Sequence, residues 1–323
     1  MNPHKPPSFN ASKGFSLVEL MISIALGLLI VAATLGIFAN NKQAYRTTEN
    51  LGRVQENARL AFELIGKDVR EAGGTQCANT EGPGRSGIDV VSVLTPSAPL
   101  AGGDFWSDWV NTVRGIDNTG PNNSDTLQLK SAGEDMFHVN NHNSATATAN
   151  INTSQNHDLL VGDIVMICDY RQGAIFQVSA VVGDDVSHTA AGLNTLANLG
   201  IGGAAYTFDN HATISRINAT QWFIAANGRG GNSLFRSTLR NVGGNPAMVQ
   251  EEIAEGVNNM QVSFLLPGDA AFVTSDAVPL ARWNEALAVR IAITFESADA
   301  IGTGAVRIQR PMIQTFNLRN RMQ

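Results

Sequence analysis

The sequence predicts an α+β protein: one long N-terminal helix, first membrane-spanning and then amphipathic, packed on antiparallel β-sheet. Three observations predict it. Residues 14–39, GFSLVELMISIALGLLIVAATLGIFA, form an apolar run without a charge from Leu20 to Ala39. Apolar residues then recur at helical spacing as far as Ala72. Beyond Gly73 and Gly74 the chain turns rich in glycine, asparagine, serine and threonine, with short β-type runs between turn signals.

The first element is the apolar run. As a helix, twenty residues rise about 30 Å, enough to cross the hydrocarbon of a bilayer. Lys5 and Lys13 precede the run and no acid does, so the N-terminus is expected to stay cytoplasmic and the bulk of the chain to lie outside. A secretory signal would close the run with small residues, whereas this one passes into NNKQAYRTTEN with no A-x-A site. Glu19 sits near the head of the run, where a carboxylate is costly in lipid and marks function.

The amphipathic half follows. Val54, Ala58, Ala61, Ile65, Val69 and Ala72 recur every three or four residues, and Leu51, Phe62 and Leu64 widen the stripe. The predicted helix spans 15–72 and stops at Gly73. Gly27, Gly36 and Gly52 within it are read either as close-packing positions or as points of local softness.

Strands are expected at 88–94, 126–129, 164–167, 175–182, 213–217, 221–225, 260–266, 286–295 and 306–316. Pro311 makes the last an edge strand or splits it. The stretches 97–103, 121–124 and 140–156 read as irregular, the last as an exposed loop.

Composition restricts function. The net charge is −6, and −8 without Lys5 and Lys13, which argues against a general nucleic-acid grip. No zinc, Walker, EF-hand or G-x-S-x-G signature occurs, so neither an enzyme nor a cofactor or metal is expected. His138 and His142 are read as loop histidines, Asp163, Asp169, Asp184 and Asp185 as turn acids, and Gly228, Gly230 and Gly231 as a turn. Two cysteines, Cys77 and Cys168, either pair outside the cytoplasm, closing a loop of about 90 residues worth about 4–5 kcal/mol, or stay as separate buried thiols. Trp106 and Trp109 are candidates for core packing or for a contact with another subunit. Arg307, Arg310, Arg319 and Arg321 suit a solvated last strand or an acidic neighbour.

K-G-F-S-L-V-E-L resembles the class III signal of type IV pilins and pseudopilins. The helix end VQENARLAFELIGKDVREAG, VGDIVMICDY at 161–170, EGVNNMQVSF at 255–264 and the tail FNLRNR make the chain resemble the PilW family of minor pilins. The resemblance implies a type IV pilin-like fold and four regions: a prepilin leader at 1–14, a transmembrane half-helix at 15–39, an amphipathic half at 40–73, and a periplasmic β-rich domain of one or two lobes at 74–323. It implies cleavage between Gly14 and Phe15 by a prepilin peptidase and methylation of the Phe15 amine. Glu19 would then pair with the N-terminal amine of an adjacent subunit and set axial register; the alternative is a carboxylate snorkelling at the membrane surface.

The implied function is non-catalytic: priming of pilus assembly and incorporation into the fibre, at its tip. The implied partners are other minor pilins, the major pilin, the inner-membrane assembly platform and a tip adhesin. The protein is placed in the inner membrane and then in the fibre. Two alternatives stay open: a minor pseudopilin of a type II secretion system, and a pilus-tip DNA-binding or adhesion module.

Overall fold

The computed structural model describes residues 14–75, 88–95, 105–107, 109, 111–151, 156–300, 306–318 and 320. The chain divides into two compact units, Met1–Gly52 and Arg53–Gln323. Helix α1 spans Leu17–Glu71 and runs unbroken through Gly27, Gly36 and Gly52. The expected softness is not expressed as a break.

In the second unit, the apolar stripe of α1 is the core face. Val54, Ala58, Ala61, Ile65, Val69 and Ala72 are all buried, in one cluster with Val289, Ile291, Ile293 and Phe295. The helix ends where the sequence predicts. Gly73 adopts φ +74°, the left-handed conformation that terminates helices. Its amide donates to Lys130 O, the Gly74 amide donates to Glu71 O, and Asn320 Nδ2 donates to the carbonyls of Glu71 and Ala72. The chain's tail thus caps its longest helix.

Two sheets occur among the described residues. The larger contains β1 (Asp89–Ser92), β2 (Val113–Gly120), β3 (Ser124–Asn143), β4 (Thr148–Ile151), β5 (Ile164–Cys168), β6 (Gln172–Gln177), β7 (Ala180–Val182), β8 (Asp185–Ser187), β9 (Thr213–Ala226), β10 (Asn232–Val242) and β11 (Asn245–Glu255). Its order is β1-β6-β5-β9-β3-β4-β8-β7, with β2 also on β3, β10 also on β9, and β11 on β10. The pairs are antiparallel except β1 with β6. The smaller sheet contains β12 (Val257–Leu265), β13 (Val273–Thr274), β14 (Ala288–Glu296) and β15 (Gln309–Asn317), in the order β13-β12-β14-β15.

β5 shows why its run is almost wholly apolar. Val165 and Ile167 enter one core cluster, while Ile164, Met166 and Cys168 enter another on the opposite face. A strand covered on both sides has no position left for polar alternation.

Several expectations change. The runs at 213–217 and 221–225 are one strand, β9, and 175–182 divides between β6 and β7. The stretch read as an exposed loop at 140–156 is strand and turn over 140–151, and 152–155 lie outside the described residues. β3 continues through Asn143 and returns as β4, whose backbone ladder β3 and β8 complete. Residues 97–103 lie outside the described residues, and Pro121–Asn123 form a single 3-10 turn.

Pro311 lies within an unsplit β15, at the margin of the smaller sheet. Ser297 N bonds Ile308 O, and Leu318 N bonds Leu287 O, at the two ends of the β14–β15 ladder. That alternation makes Thr294 and Pro311 a pair without mutual hydrogen bonds. The missing proline N–H therefore falls on the open side, where it costs no ladder bond.

Candidate functional site

The N-terminal unit presents the candidate assembly site. Gly14, Phe15 and Ser16 precede the first turn of α1, with Phe15 exposed. Ser16 is the N-cap. Its Oγ accepts the Val18 amide at 3.3 Å, and Glu19 Oε2 accepts the Ser16 amide at 3.2 Å. This reciprocal S-x-x-E arrangement is a capping box, and it satisfies amides that the first turn would otherwise leave free. Glu19 thus has a task within its own subunit that its reading as a buried charge did not anticipate; the spacing S-L-V-E carried the signal. Its negative charge also lies at the positive end of the helix dipole. Oε1 has no bonding partner among the described residues.

Beyond Glu19, the apolar side chains from Leu20 to Phe38 face outward on every side of the helix. This is the one described helix long and apolar enough to cross a membrane, and none of its most apolar window is buried. Its few hydroxyls need no outside partner: Ser23 Oγ donates to Glu19 O, and Thr34 Oγ1 to Ile30 O and Val31 O. A Cβ at Gly27, Gly36 or Gly52 would meet nothing within 4 Å. Among the described residues, nothing around these positions calls for a small residue.

The remaining candidates lie in the second unit. Trp106 is 2% and Trp109 6% exposed, and both join the core cluster that holds Cys168. Of their two sequence readings, packing is the one the subunit displays; the contact reading would need rings that are accessible. Cys168 ends β5 and is buried, while Cys77 lies outside the described residues. Arg307 pairs with Glu296 at 2.8 Å. Arg319 and Arg321 lie outside the described residues.

Of the acids read as turn formers, Asp163, Asp169 and Asp184 lie in turns or loops, whereas Asp185 is the first residue of β8. Asp163 accepts the Leu160 amide and pairs with Arg216, and Asp169 accepts the amides of Arg171 and Gln172. Asn227 Oδ1 accepts the Arg229 and Gly231 amides and closes the NGRGG turn. His138 and His142 are not loop residues. Both lie on β3, and an irregularity between Val139 and Asn141 puts them on opposite faces, His138 exposed and His142 buried. Among the described residues, no group of three His, Cys, Asp or Glu side chains is placed to hold a metal ion.

Residues 9–35 match the prokaryotic N-terminal methylation motif. The chain therefore carries the class III signal of type IV pilin-like proteins, at the head of a long apolar helix and ahead of a β-rich region. The motif supports a type IV pilin-like or pseudopilin protein, and the apolar helix fits membrane anchoring by a single span. A comparison with curated proteins gives no match.

Proposed function

We propose that this chain is a minor pilin of a type IV pilus, related to the PilW family. It enters the inner membrane by its apolar helix, with residues 74–323 in the periplasm. Prepilin peptidase cuts between Gly14 and Phe15 and methylates the new amine. The subunit then joins other minor pilins in a priming complex on the assembly platform, and ends at the tip of a fibre of major pilin. It has no catalytic part in this; the motor that extracts it is a separate protein.

The observation that carries the reading is Glu19: a carboxylate at the head of an unburied apolar helix, inside a methylation motif, with one oxygen engaged by its own N-cap. The other oxygen is available to the amine of a neighbouring Phe15. Desolvation offsets much of that attraction, so its main effect is on register. Outside the cytoplasm, Cys168 pairs with Cys77.

Two measurements test the reading. Mass spectrometry of sheared fibres should find this protein beginning at a methylated Phe15; an intact leader there would overturn it. Deletion should abolish piliation and leave exoprotein secretion normal. Loss of secretion with intact pili would instead indicate a type II pseudopilin. Co-purification from membranes with crosslink mapping identifies the neighbours.

A further inference from the structure

His142 on β3 and His188 just after β8 are 2% and 0% exposed, and their Nε2 atoms face each other at 2.9 Å. Their outer nitrogens fix where the protons sit. The Phe208 amide donates to His142 Nδ1 at 3.1 Å, so that nitrogen is bare and His142 carries its proton on Nε2. His188 Nδ1 lies 2.9 Å from Ala197 O, so it carries the proton and leaves Nε2 bare. The result is a one-way relay: Phe208 N–H to His142, His142 to His188, His188 to Ala197.

Every position in this relay is filled. A proton entering at His142 Nδ1 would oppose the Phe208 N–H. One entering at His188 Nε2 would set two N–H groups head-on. Protonation must therefore break either the Phe208–His142 bond or the bond between the two rings from which the segment from Ala197 to Phe208 hangs at its ends. That segment contributes Leu199 and Phe208 to the core cluster under β3, β4 and β8.

The surroundings favour neutral rings. Phe208 stands edge-on to His142 and Phe176 lies against His188, each with ring centroids 5.2 Å apart. Burial lowers both histidines to about 4, with His188 adding to the effect on His142. Three carboxylates of the neighbouring elements are engaged elsewhere. Asp169 accepts the Tyr206 hydroxyl, Asp185 the Asn150 amide group, and Asp209 the His211 backbone amide. β4 and β6 carry no titratable side chain. No ion pair reaches either ring among the described residues.

We propose that His142 and His188 form an acid-sensitive latch, which fastens residues 197–208 onto the β3–β4 hairpin and releases them reversibly when protonated. The sign follows from linkage. Released rings take up protons below their ordinary value of about 6.5, and seated rings do so only near 4. Between those limits, each freed histidine favours the open state about tenfold per pH unit. Below about 4 the dependence flattens, because seated rings protonate too.

Hydrogen exchange of the full-length protein in detergent micelles, corrected for intrinsic rate, tests this between pH 7 and 4.5. Peptides covering 197–208 should open about ten- to a hundredfold more per pH unit below 6.5, reversibly, while β12 and β14 stay protected. In H142Q/H188Q the same peptides should show no such dependence. Independence of pH in the wild type, or an unchanged slope in the double variant, would overturn the latch. Nitrogen shifts of the wild-type rings give a readout that needs no variant. Opposite tautomers with midpoints near 4 support the relay; two rings titrating near 6.5 sink it.

Discussion

Asp68 on α1 and Arg236 on β10 are joined by two parallel hydrogen bonds, Nε to Oδ2 at 3.0 Å and Nη2 to Oδ1 at 2.8 Å. Trp222 Nε1 on β9 donates a third, to Oδ2 at 2.9 Å. Asp68 is the one acid of the helix's second half that turns inward, and this fork fixes the rotation of the helix on the larger sheet. Burial pushes its carboxyl above the usual range, while Arg236 and then Trp222 pull it down.

Asp68→Asn should destabilise the second unit by about 2–3 kcal/mol. It leaves a mostly buried guanidinium without its counter-charge, and the residual exposure of Arg236 keeps the loss below that of a fully buried pair. The check is a lower urea midpoint at unchanged slope. Asp68→Asn combined with Arg236→Met should recover part of the loss.

Gly66→Ala and Gly36→Ala should have opposite signs. A Cβ at Gly66 would lie 2.6 Å from the Phe316 ring, whereas one at Gly36 meets nothing within 4 Å. Overpacking at Gly66 costs about 1–3 kcal/mol and outweighs the helix propensity gained, about 1 kcal/mol. Circular dichroism melts in one detergent compare the two; a higher midpoint for Gly66→Ala would refute the packing argument.

Glu19→Gln separates the cap from the charge. Glutamine still accepts the Ser16 amide in a capping box, so helix content should hold while incorporation into fibres falls sharply. Ser16→Ala should do the reverse, costing about 1 kcal/mol of local helix stability with incorporation retained. Quantitative blotting of sheared fibres decides. Equal incorporation of Glu19→Gln and wild type would remove the register role.

Alkylation without prior reduction should leave both cysteines unlabelled in protein taken from the periplasmic face. After reduction, two labels should appear, and the denaturation midpoint should fall by the equivalent of about 4–5 kcal/mol. Two labels without reduction would exclude the Cys77–Cys168 bond.

The parts legible in the sequence are those whose burial is periodic or complete. The stripe from Val54 to Ala72 shows because a helix repeats every 3.6 residues, and β5 shows because both of its faces are covered. β10 and β11 do not stand out. One side of their hairpin is wet, and RSTLRNV and PAMVQEEIAE mix polar and apolar residues accordingly. The second half of β3 hides in EDMFHVNNHN, because its irregularity shifts the alternation partway along. The Asp68–Arg236 fork and the His142–His188 relay join residues far apart in the chain, and no local pattern announces either. At the N-terminus the reverse holds: cap, acid and apolar run are contiguous, so the site can be read from eight residues.

Pro311 omits one hydrogen-bond donor near the start of an otherwise open rim. A bilayer confines its residents to two dimensions and brings like molecules together often. A continuous rim would let such meetings grow into stacked ribbons that no machinery dissolves. One absent N–H on that edge works against such growth.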